Sequence, residues 1–135
     1  MTNEEKANAL CKNTLMETLS IKYTRVEEGF VEASMPVSEV NHQPMGLLHG
    51  GANAALAESV GSLGSAFLID TKTQAVVGLQ LSINHLKSVQ SGFVIARGEI
   101  IHRGRTTHLW NIEIKDEKGN QIATCRLTNY IKTNS

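Results

Sequence analysis

Cysteine is scarce in this chain. Cys11 and Cys125 are the only two, so neither a disulfide framework nor a cysteine metal clip is expected, and a reducing cytoplasm is the simplest home. Net charge is absent as well: 13 Lys and Arg balance 13 Asp and Glu, which argues against a nucleic-acid or membrane partner. No apolar run approaches the length of a membrane span or a signal core, and the opening Met1-Thr-Asn-Glu-Glu-Lys6 is polar. His42, His102 and His108 have no cysteine or acidic residue at ligand spacing, so no metal site is expected. Repeats, low-complexity tracts and linkers are missing, which leaves residues 1–135 as one domain with one substantial core.

What is present is periodicity. Residues 4–19 place Ala7, Leu10, Cys11, Leu15 and Leu19 at helical spacing and predict an amphipathic lead helix. Short strands are expected over 22–27 and 30–37, the second alternating Val31, Ala33, Met35 and Val37 against Glu32 and Ser34. A helical pattern runs from 50 to 69. Beyond it, Ala75, Val77, Leu79, Leu81 and Ile83 alternate with Gln74, Gly78, Gln80, Ser82 and Asn84. Strands at 93–101, 109–115 and 121–131 follow, with Trp110, Ile112 and Ile114 on one face, and Ala123, Cys125, Leu127 and Ile131 on another. One long helix with five or six mostly antiparallel strands predicts an α+β domain whose sheet wraps around the helix.

The central helix carries a single charge, Glu58. Ala52, Leu56, Val60, Leu63 and Phe67 form an apolar stripe to lie on the sheet. Gly51, Ala54, Ala55, Glu58, Gly61, Ser62 and Ser65 form a second stripe of small residues, which something is expected to approach closely. Gly50 opens the helix, where free N–H groups and the peptide dipoles favour developing negative charge, so its N–H is a candidate oxyanion donor. Glu58 lies eight residues further on, about 12 Å along the axis. A general base or nucleophile must reach its target directly or through one water. If the two groups act on one carbonyl, an antiparallel partner chain has to supply one of them.

These residues resemble a known family. Gln43-Pro-Met-Gly-Leu-Leu-His-Gly-Gly-Ala52, Leu56-Ala-Glu-Ser-Val-Gly-Ser62 and Val76-Val-Gly78 are similar to the hotdog-fold acyl-CoA thioesterases. Within them, the branch of the dihydroxynaphthoyl-CoA and enterobactin-proofreading enzymes matches best, over nearly all the chain after Glu28. The resemblance implies the hotdog fold and thioester hydrolysis. It implies that Glu58 attacks the thioester or activates water, and that the Gly50 N–H holds the carbonyl oxygen. Gln43 would polarise or orient that carbonyl, or only brace its loop. His49 would participate directly or cap the helix start. Ser62 would hold water or steady the carboxylate, and Asn84 and His85 would line the acyl pocket, with core or interface roles open for Ser62 and His85. Ser59 joins the implied substrate-binding set.

Coenzyme A carries phosphates, for which arginine offers a fixed fork of donors. Arg103, Gly104, Arg105 and Thr106 are the candidates, with Lys87 at the entrance. The plain alternative is a solvated basic turn. Met45, Leu47, Leu48, Leu63 and Phe67 suit an aroyl or a short to medium acyl group, on coenzyme A or on a carrier protein. No separate cofactor is implied, since coenzyme A belongs to the substrate. A homodimer at least, and a homotetramer by resemblance, is the expected assembly. Two other classes compete: a hotdog hydratase or dehydratase, which carries a differently placed Asp/His pair, and an acyl-CoA sensor, which has no need of Glu58.

Overall fold

Inward-facing residues spaced two apart build the sheet, and the structure, a computed structural model describing residues 1–134, has six strands in it. The elements are α1 (Asn3–Ala9), α2 (Leu15–Thr18), β1 (Lys22–Glu27), β2 (Phe30–Val37), α3 (Gly50–Ala66), β3 (Gln74–His85), β4 (Gly92–Arg103), β5 (Thr107–Asp116) and β6 (Gln121–Thr133). The strand order is β1-β2-β4-β5-β6-β3, antiparallel throughout. Helix α3 packs against β2, β3, β4, β5 and β6, so the sheet wraps around it as a hotdog fold.

The core lies between α3 and the inward rows of the strands. Val31, Ala33, Met35, Val94, Ala96, Trp110, Ile112, Ile114, Ala123 and Leu127 are all fully buried. Both cysteines are buried too, and desolvation pushes the Cys125 thiol up to about 12, which leaves it an inert packing residue.

The helix comes very close to the sheet. A Cβ on Gly61 would stand 2.4 Å from Leu127 Cδ2, and one on Gly64 would stand 2.3 Å from Trp110 Cη2. This corrects the expectation of a separate small-residue face. Gly61 and Ser65 turn to the sheet, while Ala54, Ala55, Glu58 and Ser62 stay on the flank. At 100° per residue the buried arc is broad enough to take in half of both stripes.

Ser65 joins the layers through polar contacts. Its Oγ accepts from Trp110 Nε1 at 2.8 Å and from Asn129 Nδ2 at 3.0 Å, and lies 2.8 Å from His108 Nδ1. Two donors fill both lone pairs of the hydroxyl, so its own proton goes to His108, whose Nδ1 must be bare. His108 is therefore neutral with its hydrogen on Nε2. Burial, and then the charges of Arg103 and His102, hold its pKa below the ordinary value.

Three departures from the expected elements have local causes. The lead helix is broken after Ala9, because Asn13 takes a φ of 61° and the Thr14 hydroxyl bonds the Cys11 carbonyl at 2.6 Å. In β3 the alternation slips at Leu79, which has no partner where Gly78 pairs with Asn129 and Gln80 with Thr128. This bulge turns Val76, Gly78, Leu81, Ile83 and His85 inward and leaves Val77 41% and Leu79 61% exposed. A second bulge, at Ile101 in β4, rotates Arg103 onto the face shared with His108.

The two edge strands are treated differently. On β1, Asn8 Oδ1 accepts from Tyr23 N at 2.8 Å, Asn8 Nδ2 donates to Tyr23 O at 2.9 Å, and Glu4 accepts from Val26 N at 2.7 Å. Side chains of α1 thus occupy the groups a further strand would use. No side chain bonds the backbone of β3 among the described residues, so that edge is open.

Two outcomes follow for stability. Ser65→Ala strands two buried donors and should lower unfolding free energy by about 2–4 kcal/mol, read from urea denaturation at pH 7.5. Because His108 stays neutral in the fold, only the unfolded chain gains a proton as pH drops below about 6.5. Stability is therefore full above that pH and is lost below it, by up to about 1.4 kcal/mol per unit, and His108→Gln should flatten that part of the profile.

Candidate functional site

The chain before α3 folds into a tight loop that aims the helix start. Gln43 N donates to Leu47 O at 2.7 Å, Gly46 N to Gln43 O at 2.9 Å, and His49 N to Asn41 O at 2.8 Å. The Gln43 side-chain oxygen accepts from Met45 N, so this amide braces its own loop while also lining the cavity beside Gly50.

His49 is the N-cap of α3. Its Nδ1 accepts from Gly51 N at 2.7 Å, which occupies one of the unpaired helix-start donors and puts the ring hydrogen on Nε2. The Gly50 N–H has no partner among the described residues. Directly above Gly50 sits the His85 ring, whose Nε2 would be 2.9 Å from a Cβ there, so only glycine fits beneath it.

A cavity of about 350 Å³ opens at this point, lined by Gln43, Leu48, Gly50, Asn53, His85, Leu86, Lys87, Ser88 and Val89. Asn53 is 3% exposed and its Oδ1 has no hydrogen-bond partner, a buried acceptor beside the candidate oxyanion donor. Lys87 lines this cavity, apart from the basic turn with which the sequence grouped it. Asn84 does not join His85, because neighbouring residues of a strand point to opposite faces.

Glu58 belongs to a different cavity. About 380 Å³ in volume, it is lined by Leu10, Leu15, Met16, Tyr23, Ala55, Glu58, Ser59, Ser62 and Leu63 and shares no lining residue with the first. Ser62 lies one turn from the carboxylate. The Ser59 hydroxyl is occupied by Ala55 O at 2.6 Å, and Ser59 O accepts from the Tyr23 hydroxyl at 3.2 Å. Burial raises the Tyr23 pKa and keeps that hydroxyl a donor. On its other side Glu58 meets β3: a Cβ on Gly78 would lie 3.8 Å from both the Glu58 carboxyl carbon and Asn129 Oδ1. The carboxylate therefore stands beside the open edge of the sheet.

The basic turn is placed apart from both cavities. Arg103 donates to Glu28 at 3.1 Å and to Leu68 O at 2.9 Å, beyond the C-terminal end of α3, a helix length of roughly 25 Å from Gly50. The Ile101 bulge is what turns it inward. Gly104 is crowded, since a Cβ there would meet His102 Nε2 at 2.8 Å and Thr107 O at 3.0 Å. Arg105 and Thr106 remain exposed. Leu63 lines the Glu58 cavity and Leu48 the Gly50 cavity, while Met45 is exposed. Among the described residues no three His, Cys, Asp or Glu side chains cluster as a metal site, and no helix is long and apolar enough to cross a membrane.

Asn53 and Asn129 are absent from the sequence-based site. Both left a trace, each being a lone amide in an otherwise inward apolar row: Asn53 between Ala52 and Leu56, and Asn129 between Leu127 and Ile131.

Comparison with known proteins shows the family and the fold. The chain is 48% identical over 120 residues to the proofreading thioesterase EntH of Klebsiella pneumoniae, covering 89% of this chain and 87% of that one. A mutant thioesterase from Pseudomonas aeruginosa, with a glutamine replaced by alanine, superposes at a TM-score of 0.95 with 40% identity, over 98% of this chain and 96% of that one. A thioesterase from Haemophilus influenzae gives 0.92 and 38%, over 98% and 92%. The thioesterase superfamily pattern matches residues 45–123, from the loop before α3 into β6, and the chain belongs to that family of thioester hydrolases.

Proposed function

We propose that two chains pair through their open β3 edges, that Glu58 of one then faces the Gly50 N–H of the other, and that this composite site hydrolyses acyl-CoA thioesters. One observation carries the reading. Within a single chain Gly50 and Glu58 line separate cavities, and the Glu58 carboxylate stands against Gly78 on the edge strand whose backbone no side chain bonds among the described residues.

In this reading the thioester carbonyl accepts from the Gly50 N–H, kept free because His49 takes the neighbouring Gly51 N–H instead. A preorganised donor of this kind is worth about two to three orders of magnitude in rate. Gln43, at the same cavity, orients the carbonyl, and Ser62 holds water near Glu58. The carboxylate acts by one of two routes. As a base it takes a proton from water, whose oxygen bonds the acyl carbon as the carbon–sulfur bond breaks and the thiol leaves with a proton. As a nucleophile it bonds the acyl carbon itself, expels the thiolate, which takes a proton from water, and forms an anhydride that a second water opens. Coenzyme A enters as part of the substrate and leaves as the free thiol, and no further cofactor takes part.

The thiol side of the substrate follows the Gly50 cavity past His85 and Lys87. Arg105 and Thr106 are the groups of the basic turn left to meet phosphate, since Arg103 is already tied to Glu28 and Leu68. The dimer, and its doubling to a tetramer, is the assembly in which the site works, in the cytoplasm.

Thiol release from a panel of aroyl and aliphatic acyl-CoA thioesters tests the reading. Wild type should turn over, and Glu58→Ala should fall by roughly 10²–10⁴-fold. Binding without turnover would instead identify a sensor. In a single turnover in oxygen-labelled water, label in Glu58 marks the covalent route, and label only in the product acid counts against it. Light scattering should give a dimer or larger, and a monomer at working concentration would remove the composite site.

A further inference from the structure

The Glu58 cavity has a wall that the proposed chemistry does not use. It is lined by Leu10, the residue that follows α1, and by Leu15 and Met16 of α2. Leu10 is 62% exposed and Leu15 is 59% exposed. These side chains are held outward by a firm local structure. Ala7 and Cys11 are buried beneath them, the left-handed Asn13 reverses the chain, and Asn8 fastens α1 to β1 through two hydrogen bonds.

Leu10 also lines a second cavity, about 500 Å³ in volume, whose other walls include Ala66, Phe67 and Ile69. Ala55, Glu58, Ser62 and Ala66 follow one another at spacings of three and four, so both cavities open along one flank of α3. From Glu58 to Ala66 is eight residues, about 12 Å of helix. Beyond the carboxylate the flank carries the Ser62 hydroxyl and then the apolar Ala66, and Leu10 lines both cavities.

We infer that this flank is the acyl subsite and that Leu10 gates it. The inference rests on thioester hydrolysis at Glu58 and adds the path of the acyl group. A compact acyl group fills the part walled by Leu15 and Met16. An extended aliphatic chain of medium length passes Leu10 and lies along α3 against Phe67 and Ile69. The lead segment, outside the residues that carry the reaction, thereby sets which acyl thioesters are hydrolysed. An apolar flank of this sort discriminates by the area it removes from water, so small changes at the gate shift preference by about tenfold or more.

The test compares kcat/KM for dodecanoyl-CoA and benzoyl-CoA in wild type, Leu10→Ala and Leu10→Trp, with Glu58→Ala as control and light scattering on each protein. Leu10 is solvent-exposed, so neither change disturbs the core. Opening the gate should raise the dodecanoyl-to-benzoyl ratio about tenfold and closing it should lower the ratio by a similar factor. An unchanged ratio in both variants, with Glu58→Ala inactive, overturns the gate and leaves the thioesterase reading standing. An unchanged ratio with a fall in oligomer size makes the flank a subunit contact and also overturns it. No thiol release by wild type from either substrate, or equal release by Glu58→Ala, removes the reading at Glu58 and the gate with it.

Discussion

Everything at the site depends on how deeply α3 is seated in the sheet, and the Ser65 hydroxyl sets that depth. It is the shared acceptor of Trp110 and Asn129 and the donor to a neutral His108, so one oxygen ties the helix to β5 and β6 with no hydrogen-bonding capacity left over. Gly61 and Gly64 make the approach sterically feasible, because side chains there would enter Leu127 and the Trp110 ring. With depth and rotation fixed, Gly50 emerges under His85 at one end of the helix and Glu58 emerges on the flank beside Gly78. A helix seated higher, on ordinary side chains, would carry the carboxylate away from the β3 edge. The polar node is therefore structural in its contacts, and through the helix it also fixes where Gly50 and Glu58 stand.

The second constraint is the unequal treatment of the sheet edges. Unpaired strand edges invite association, and α1 removes that option on β1 by presenting amide and carboxylate groups to its backbone. The invitation remains on β3 alone, the strand that passes Glu58. One edge is thus protected, and the other, which passes Glu58, is left available. The same lead segment that closes β1 also holds Leu10 and Leu15 beside the flank of α3, so one short stretch reaches both the protected edge and the Glu58 cavity.

Much of the fold was legible because alternation and helical spacing are properties of consecutive residues. The strands at 22–27 and 30–37 coincide with β1 and β2, and Trp110, Ile112 and Ile114 share the buried face they were assigned. What failed were features set by one irregular residue. Asn13 in the left-handed region splits the lead helix, and the bulges at Leu79 and Ile101 each invert the facing of the residues beyond them. Arg103 illustrates the consequence: free in the alternating pattern, it is instead bound to Glu28 and the Leu68 carbonyl. Nothing in the local sequence distinguishes a strand that slips by one residue from one that does not, because the slip is decided by the neighbouring strand.

By itself, the sequence determined the α+β class, the lone Glu58 in a small-residue helix and the glycine at that helix's start, since each is written in residue type and spacing. It also carried the likeness to thioesterases that the matched relatives bear out. Only the tertiary structure decided that His49 caps the helix and so leaves Gly50 free, that Gly50 and Glu58 open into different cavities, and that Glu58 adjoins the uncovered edge. Those facts depend on contacts between residues far apart in the chain, such as Gly50 with His85, Glu58 with Gly78 and Ser65 with His108, and packing alone brings them together.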